Sequence, residues 1–129
     1  MSPPRLIGCI IVRNEIAVQS FGFNRYLPIG KPEIAAEFLN RWGVDEIVLL
    51  DIGASSEGRS PNLKMVKDVA AKIFTPLTVG GGVSSLSDFQ ALLHAGADKV
   101  SVNTALIKTP ELLREAAEYA GSQCVIASI

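Results

Sequence analysis

The sequence predicts an α/β fold, the (βα)4 half of a parallel barrel with the start of a fifth parallel strand. Three observations carry this reading. Short apolar runs alternate with longer segments of helical periodicity along the whole chain. The apolar runs are continuous rather than strictly alternating, as strands covered on both faces of a parallel sheet require. Capping residues and glycines recur at the boundaries, so that strand, loop and capped helix repeat four times, three of the helices ending at a glycine.

The first strand is expected over residues 6–12, an Ile- and Val-rich run. The stretch 14–29 that follows is longer than an ordinary strand-to-helix loop. Asn14-Glu15 is expected to turn a small hairpin, with residues 16–23 folding over the barrel mouth. Lys31-Pro32-Glu33 opens a helix over 32–42, because proline at the first helical position loses no hydrogen bond and an acid suits the helix N-terminus. The second strand is expected at 46–50. Ser60-Pro61 then caps a helix over 61–72. A third strand at 77–79 leads to a helix over 86–95, where Ser85 and Asp88 form a capping box with Asp in place of Glu. The fourth strand, 99–102, is followed by a helix over 110–120 opened by Thr109-Pro110. Residues 124–128 begin a fifth strand. Gly43, Gly96 and Gly121 stand where left-handed helix terminators belong. The segment Gly43 to Asp51 is echoed by Gly96 to Thr104: glycine, acid, strand, and a polar residue at the strand end.

The chain reads as a single domain over residues 1–129. A net charge of −1, with no cluster of Lys or Arg, gives no electrostatic footprint for nucleic acid. No stretch approaches the ~20 apolar residues of a membrane span, and the run after Arg5 is too short for a signal peptide. Cys9 and Cys124 lie far apart without metal-ligand spacing, and are expected as reduced thiols in buried strands of a cytoplasmic protein. No metal or cofactor is expected.

Barrel enzymes of this type place their sites at the C-terminal ends of the strands. There the sequence offers Asp51, the run Gly80-Gly81-Gly82, and Asn103-Thr104. Consecutive glycines let a backbone approach a ligand closely and present N–H groups to an anion, and a helix opened by Ser84 or Ser85 would point its positive end the same way. The alternative is a tight flexible turn. With Asn103 and Thr104 on the next strand, a phosphate cradle is the better reading, with Gly81, Gly82, Asn103 and Thr104 as its residues. Asp51 is a candidate general base or a loop-ordering acceptor. His94, the only histidine, is expected on an outer helix face, Trp42 in packing, and Glu57, Arg59 and Lys64 as ordinary charges.

At these residues the chain resembles a known family. The segments 45–52, 78–83 and 96–105 are similar to the N-terminal half of the cyclase subunit of imidazole glycerol phosphate synthase, a TIM barrel of histidine biosynthesis, and the likeness extends over essentially the whole chain. The resemblance implies that Gly82, Asn103 and Thr104 hold one phosphate of a bis-phosphorylated substrate. It also implies a catalytic pair of aspartates on the first and fifth barrel strands. The first-strand position is Ile11 here, and the fifth-strand aspartate would fall just beyond Ile129; the family's first-loop lysine is matched by Gln19. Cyclase-like proteins of surface-glycan acetamidino modification are similarly apolar at the first-strand position. Isoleucine moves no proton, so cyclase activity of this chain alone is not expected. Arg5, Glu46 and Lys99 match part of a charged gate at the barrel bottom, through which ammonia enters from a glutaminase partner; the alternative is a set of charges that satisfy one another and fix packing.

A closed barrel takes about 250 residues, and 129 supply half of one. Open edges and an uncovered apolar face invite association. The first expectation is a half barrel completed as a homodimer or higher oligomer, binding phosphate or a phosphorylated small molecule without catalysis. The others are a truncated lyase needing a C-terminal half, and a module using Arg5, Glu46, Asp98 and Lys99 to bind a glutaminase-like subunit.

Overall fold

Wherever the chain returns through a helix between two neighbouring strands, those strands lie parallel. The computed structural model describes residues 2–129. In chain order it contains β1 (Ile7–Arg13), β2 (Ile16–Phe21), β3 (Arg25–Gly30), α1 (Pro32–Arg41), β4 (Glu46–Asp51), α2 (Leu63–Ala70) and β5 (Leu77–Gly80). There follow α3 (Leu86–Ala95), β6 (Lys99–Val102), α4 (Thr104–Lys108), α5 (Glu111–Ala120), a 3-10 turn (Ser122–Cys124) and β7 (Val125–Ala127). One sheet has the order β3-β2-β1-β4-β5-β6-β7. β1, β4, β5, β6 and β7 run parallel as a barrel wall; β2 and β3 add an antiparallel hairpin to the β1 edge. The wall does not close on itself, which agrees with a partial barrel.

The two faces of the wall are buried unequally. Ile10, Val12, Ile47, Leu49, Leu77, Val79, Val100 and Val102 point to the helices and are buried. They meet Ala36, Met65, Val66, Val69, Phe89, Leu92, Leu112 and Ala116 in one core. The strand register sets the opposite face. Ile11, Leu50, Gly80, Ser101 and Ile126 fall in one row across the wall, and Cys9, Val48, Thr78 and Lys99 in the row below. These are the layers that would fill a closed barrel. Here Ile7 and Cys9 are exposed, and Ile11, Val48, Leu50 and Ile126 are only half-buried.

The sequence echo is a structural one. Asp45 Oδ2 accepts the Leu6 N–H at 2.7 Å while its own N–H donates to the Leu6 carbonyl at 2.8 Å. Asp98 repeats both bonds with Leu77, each at 2.8 Å. Each aspartate thus clasps the start of the preceding strand to the start of its own, fixing the parallel register.

Several elements depart from the sequence reading. Residues 16–23 do not fold over the mouth. β2 pairs with the C-terminal half of β1 and with β3, a strand the sequence reading did not place within the long 14–29 stretch. The hairpin turn has Asn14 at φ 52° and Glu15 at φ 65°, the two left-handed residues a two-residue turn needs. Asn62 Nδ2 bonds Glu15 Oε1 at 3.1 Å, and Arg13 stacks 4.4 Å over the Tyr26 ring, so the turn is tied to α2 and the hairpin to β1. Asn62, not Ser60, caps α2 by accepting the Met65 N–H at 3.0 Å. α5 begins at Glu111 with no side-chain cap from Thr109, and the short helix α4 was not foreseen. Cys9 is exposed rather than buried, because its face of the wall has no cover. Trp42 is 74% exposed, its ring 6.1 Å from that of Phe38.

Leu49 is fully buried under the helices, so Leu49→Ala is expected to cost about 2–5 kcal/mol in urea unfolding. Ser85 accepts the Asp88 N–H at 3.1 Å, and Ser85→Ala should cost about 1 kcal/mol in the same assay.

Candidate functional site

The C-terminal ends of β4, β5 and β6 open onto a cavity of about 300 Å3 at the rim of the wall. It is lined by Asp51 and Ser55 from the loop after β4, by Gly80 to Val83 after β5, by Ser101, Asn103 and Thr104 at the end of β6, and by Ser128. The sequence-predicted Gly81, Gly82, Asn103, Thr104 and Asp51 therefore meet in one place. Asp51 is the single ionisable side chain among these lining residues.

The glycine run is explained by close approach. Gly81 has φ +110°, and a Cβ there would overlap the carbonyl oxygen of Asp51. Gly82 has φ +74°, and its Cβ would lie 2.7 Å from the Arg59 carbonyl oxygen and 2.8 Å from Ala54 Cβ. Both positions therefore need glycine twice over, for left-handed backbone and for space. The turn after β5 is seated against the loop after β4. The N–H groups of Gly81 and Gly82 find no acceptor among the described residues and remain available to a ligand.

Asp51 is buried at the end of β4, and its carboxylate is fully engaged. Oδ1 accepts N–H bonds from Gly53 at 3.1 Å and Ala54 at 3.2 Å. Arg59 reaches back with Nη1 at 3.3 Å from Oδ2 and Nη2 at 3.4 Å from Oδ1. The Arg59 guanidinium is also bonded to Glu57, and these two carboxylates, Glu57 first, hold its pKa above the usual arginine value. Asp51 here orders a loop: the ion triad folds residues 51–59 back on the strand end. That loop delivers Ser55, whose Oγ donates to Thr104 Oγ1 at 3.3 Å and joins the two rim segments.

Sequence reasoning passed over Arg59 and Ser55. No spacing rule links a strand-end acid to an arginine eight residues on through an irregular loop; the small and polar composition of 53–60 was the available signal. The α3 N-terminus turns out to be occupied by its own acid. Asp88 Oδ2 accepts from Ser84 N at 3.0 Å and from Ser84 Oγ at 3.1 Å, and neither Ser84 nor Ser85 lines the 300 Å3 cavity. His94 is exposed on α3, with Nδ1 2.8 Å from the Gln90 carbonyl.

At the opposite end of the wall, Glu46 is buried with its side chain 7% exposed. Glu46 Oε1 accepts the Thr78 hydroxyl at 2.8 Å and lies 3.5 Å from Lys99 Nζ, while Oε2 lies 3.5 Å from Arg5 Nη2. The structure brings Arg5, Glu46 and Lys99 together as the sequence reading expected. Asp98 serves the backbone clasp at Leu77 instead. Ile11 projects from mid-wall beside Leu50, far from any ionisable partner in its row. Among the described residues no group of His, Cys, Asp and Glu is placed to hold a metal ion, and no helix is long and apolar enough to cross a membrane.

Comparison with known proteins agrees with this arrangement. Residues 5–129 match the family model described as histidine biosynthesis protein. The chain is 49% identical over 125 residues to a putative imidazole glycerol phosphate synthase subunit hisF2 of Vibrio vulnificus, covering 97% of this chain and 46% of the relative. It is 47% identical over 129 residues to imidazole glycerol phosphate synthase subunit HisF of Bacillus subtilis, and 46% identical to that of Clostridium botulinum, in each case covering all of this chain and 51% of the relative. The chain spans about half the length of the curated relatives it matches. With its parallel wall, glycine turn and rim residues in place, the chain belongs to the histidine biosynthesis protein family of imidazole glycerol phosphate synthase cyclase-type barrels.

Proposed function

We propose that this chain is a cyclase-type half barrel that holds phosphate, or the phosphate group of a small molecule, at Gly81, Gly82, Asn103 and Thr104. The observation that carries the reading is the 300 Å3 rim cavity, lined together by Gly81 and Gly82, whose N–H groups have no acceptor among the described residues, and by Asn103, Ser101, Thr104 and Ser128. Donors of this kind bind an anion without requiring a cation beside it. Phosphate is expected to raise the melting temperature of the wild type and to leave Gly82→Val and Thr104→Ala unprotected. A wild type whose melting is indifferent to phosphate would count against the cradle.

The open wall supports completion by a second copy. An apolar groove of about 430 Å3 lies between α1 and the β1–β2–β3 strands, lined by Ile10, Val18, Ile29, Phe38, Leu39 and Trp42. With the half-buried row at Ile11, Leu50 and Ile126, it is apolar surface of the kind that invites association. Light scattering over a range of concentrations should give a discrete dimer or tetramer; a concentration-independent monomer would remove this part of the reading. Cys9 supplies an independent probe. Partial burial raises its thiol pKa above the ordinary value, so less thiolate forms at a given pH. In a Cys124→Ser background, alkylation should be slow at neutral pH and accelerate with alkali. Cover by a second copy would slow it further, and dilution would relieve that protection.

A second reading is favoured by the twofold length of the relatives: the chain is the first half of a lyase-type cyclase and works with a complementary half. Ile11 stands where the resemblance places one acid of the catalytic pair, so such an assembly is expected to be silent, with turnover appearing only for Ile11→Asp. The free cysteines and the biosynthetic relatives favour a cytoplasmic setting. A glutaminase-like subunit, if one docks, would do so at the Arg5–Glu46–Lys99 end, which co-elution would test.

A further inference from the structure

The rim cavity contains one formal charge of its own, and it has the wrong sign for phosphate. Asp51 lines the cavity, and a bare carboxylate there would repel an anion seated on the glycine turn. Arg59 lines not that cavity but an adjoining one that shares Ser55, Gly82 and Thr104 with it, and its guanidinium meets both carboxylate oxygens of Asp51, at 3.3 and 3.4 Å. The same arginine folds the loop that brings Ser55 to Thr104. With Ser55 Oγ donating to Thr104 Oγ1 at 3.3 Å, the Thr104 proton is not needed for that bond and is free for another acceptor. The Arg59 carbonyl and Ala54 Cβ also form the floor against which Gly82 is seated.

We propose that Arg59 is the positioning residue of the phosphate cradle, acting by cancelling the charge of Asp51 and by holding Ser55 against Thr104. The proposal rests on the phosphate reading above and assigns to the loop after β4 a part in it that glycine and strand-end motifs do not reveal. Arg59 and Ser55 act through other residues; the anion itself would touch the glycine N–H groups, Asn103 and Thr104.

The test is calorimetric titration of inorganic phosphate into the full chain, wild type first. Arg59→Ala is expected to bind about tenfold more weakly, and the deficit should shrink as potassium chloride is added, since salt screens the unmasked carboxylate. Asp51→Asn in the Arg59→Ala background should recover most of the loss, an outcome that a merely structural role for Arg59 would not give. Ser55→Ala should weaken binding about threefold, and Ser55→Thr should restore it. Wild-type affinity in Arg59→Ala, or a double variant no better than Arg59→Ala alone, would overturn the proposal while leaving the cradle standing. No binding by the wild type would overturn the cradle itself and this inference with it. Should Arg59→Ala not fold, the double variant and the Ser55 pair still decide the matter.

Discussion

A parallel strand has two faces to bury, and this chain carries helices for only one of them. That imbalance governs the rest of the molecule. On the helix side, the residues from Ile10 to Val102 reach near-complete burial, and each contributes about 25 cal/mol per Å2 of apolar surface removed from water. On the other side, the same strands leave Ile7 and Cys9 exposed and Ile11, Val48, Leu50 and Ile126 only half-buried. The residue types match those of the covered face, so the sequence is written for a wall with cover on both sides. The apolar groove between α1 and the β1–β2–β3 strands adds to the same deficit.

Within the wall, order at the two ends comes from different devices. At the N-terminal ends of the strands, Asp45 and Asp98 use one carboxylate oxygen and one N–H to tie neighbouring strand starts together. Glu46 lies in a buried layer where Thr78, Arg5 and Lys99 all face it. A buried carboxylate without such partners would be strongly destabilising, so these charges stand or fall together. At the C-terminal ends, order comes from loops resting on one another. Asp51 folds its own loop, that loop seats the glycine turn, and Ser55 joins both to the start of α4.

This arrangement gives Gly81 and Gly82 two simultaneous reasons to be glycine. A side chain would collide with the neighbouring loop, and it would sit on a left-handed backbone that L residues rarely adopt. The close seating of the turn against the loop after β4 fixes its backbone, which a flexible turn of the same composition would leave loose.

The sequence by itself determined the alternation of strands and helices, the five barrel strands, the Ser85 cap and the rim residues Gly81, Gly82, Asn103 and Thr104. It could do so because periodicity, capping and strand-end polarity are local properties, readable within a few residues. The echo at Asp45 and Asp98 was visible as a repeat, but its meaning was not, since each carboxylate bonds a residue 39 or 21 positions away. Tertiary structure alone decided that Arg59 closes on Asp51, that Ser55 meets Thr104 across 49 residues, that residues 16–30 extend the sheet rather than cover its mouth, and that Cys9 is exposed. Each of these depends on which segments become neighbours once the wall has formed, and on which of its faces is left without a partner, and neither is encoded in any short stretch of chain.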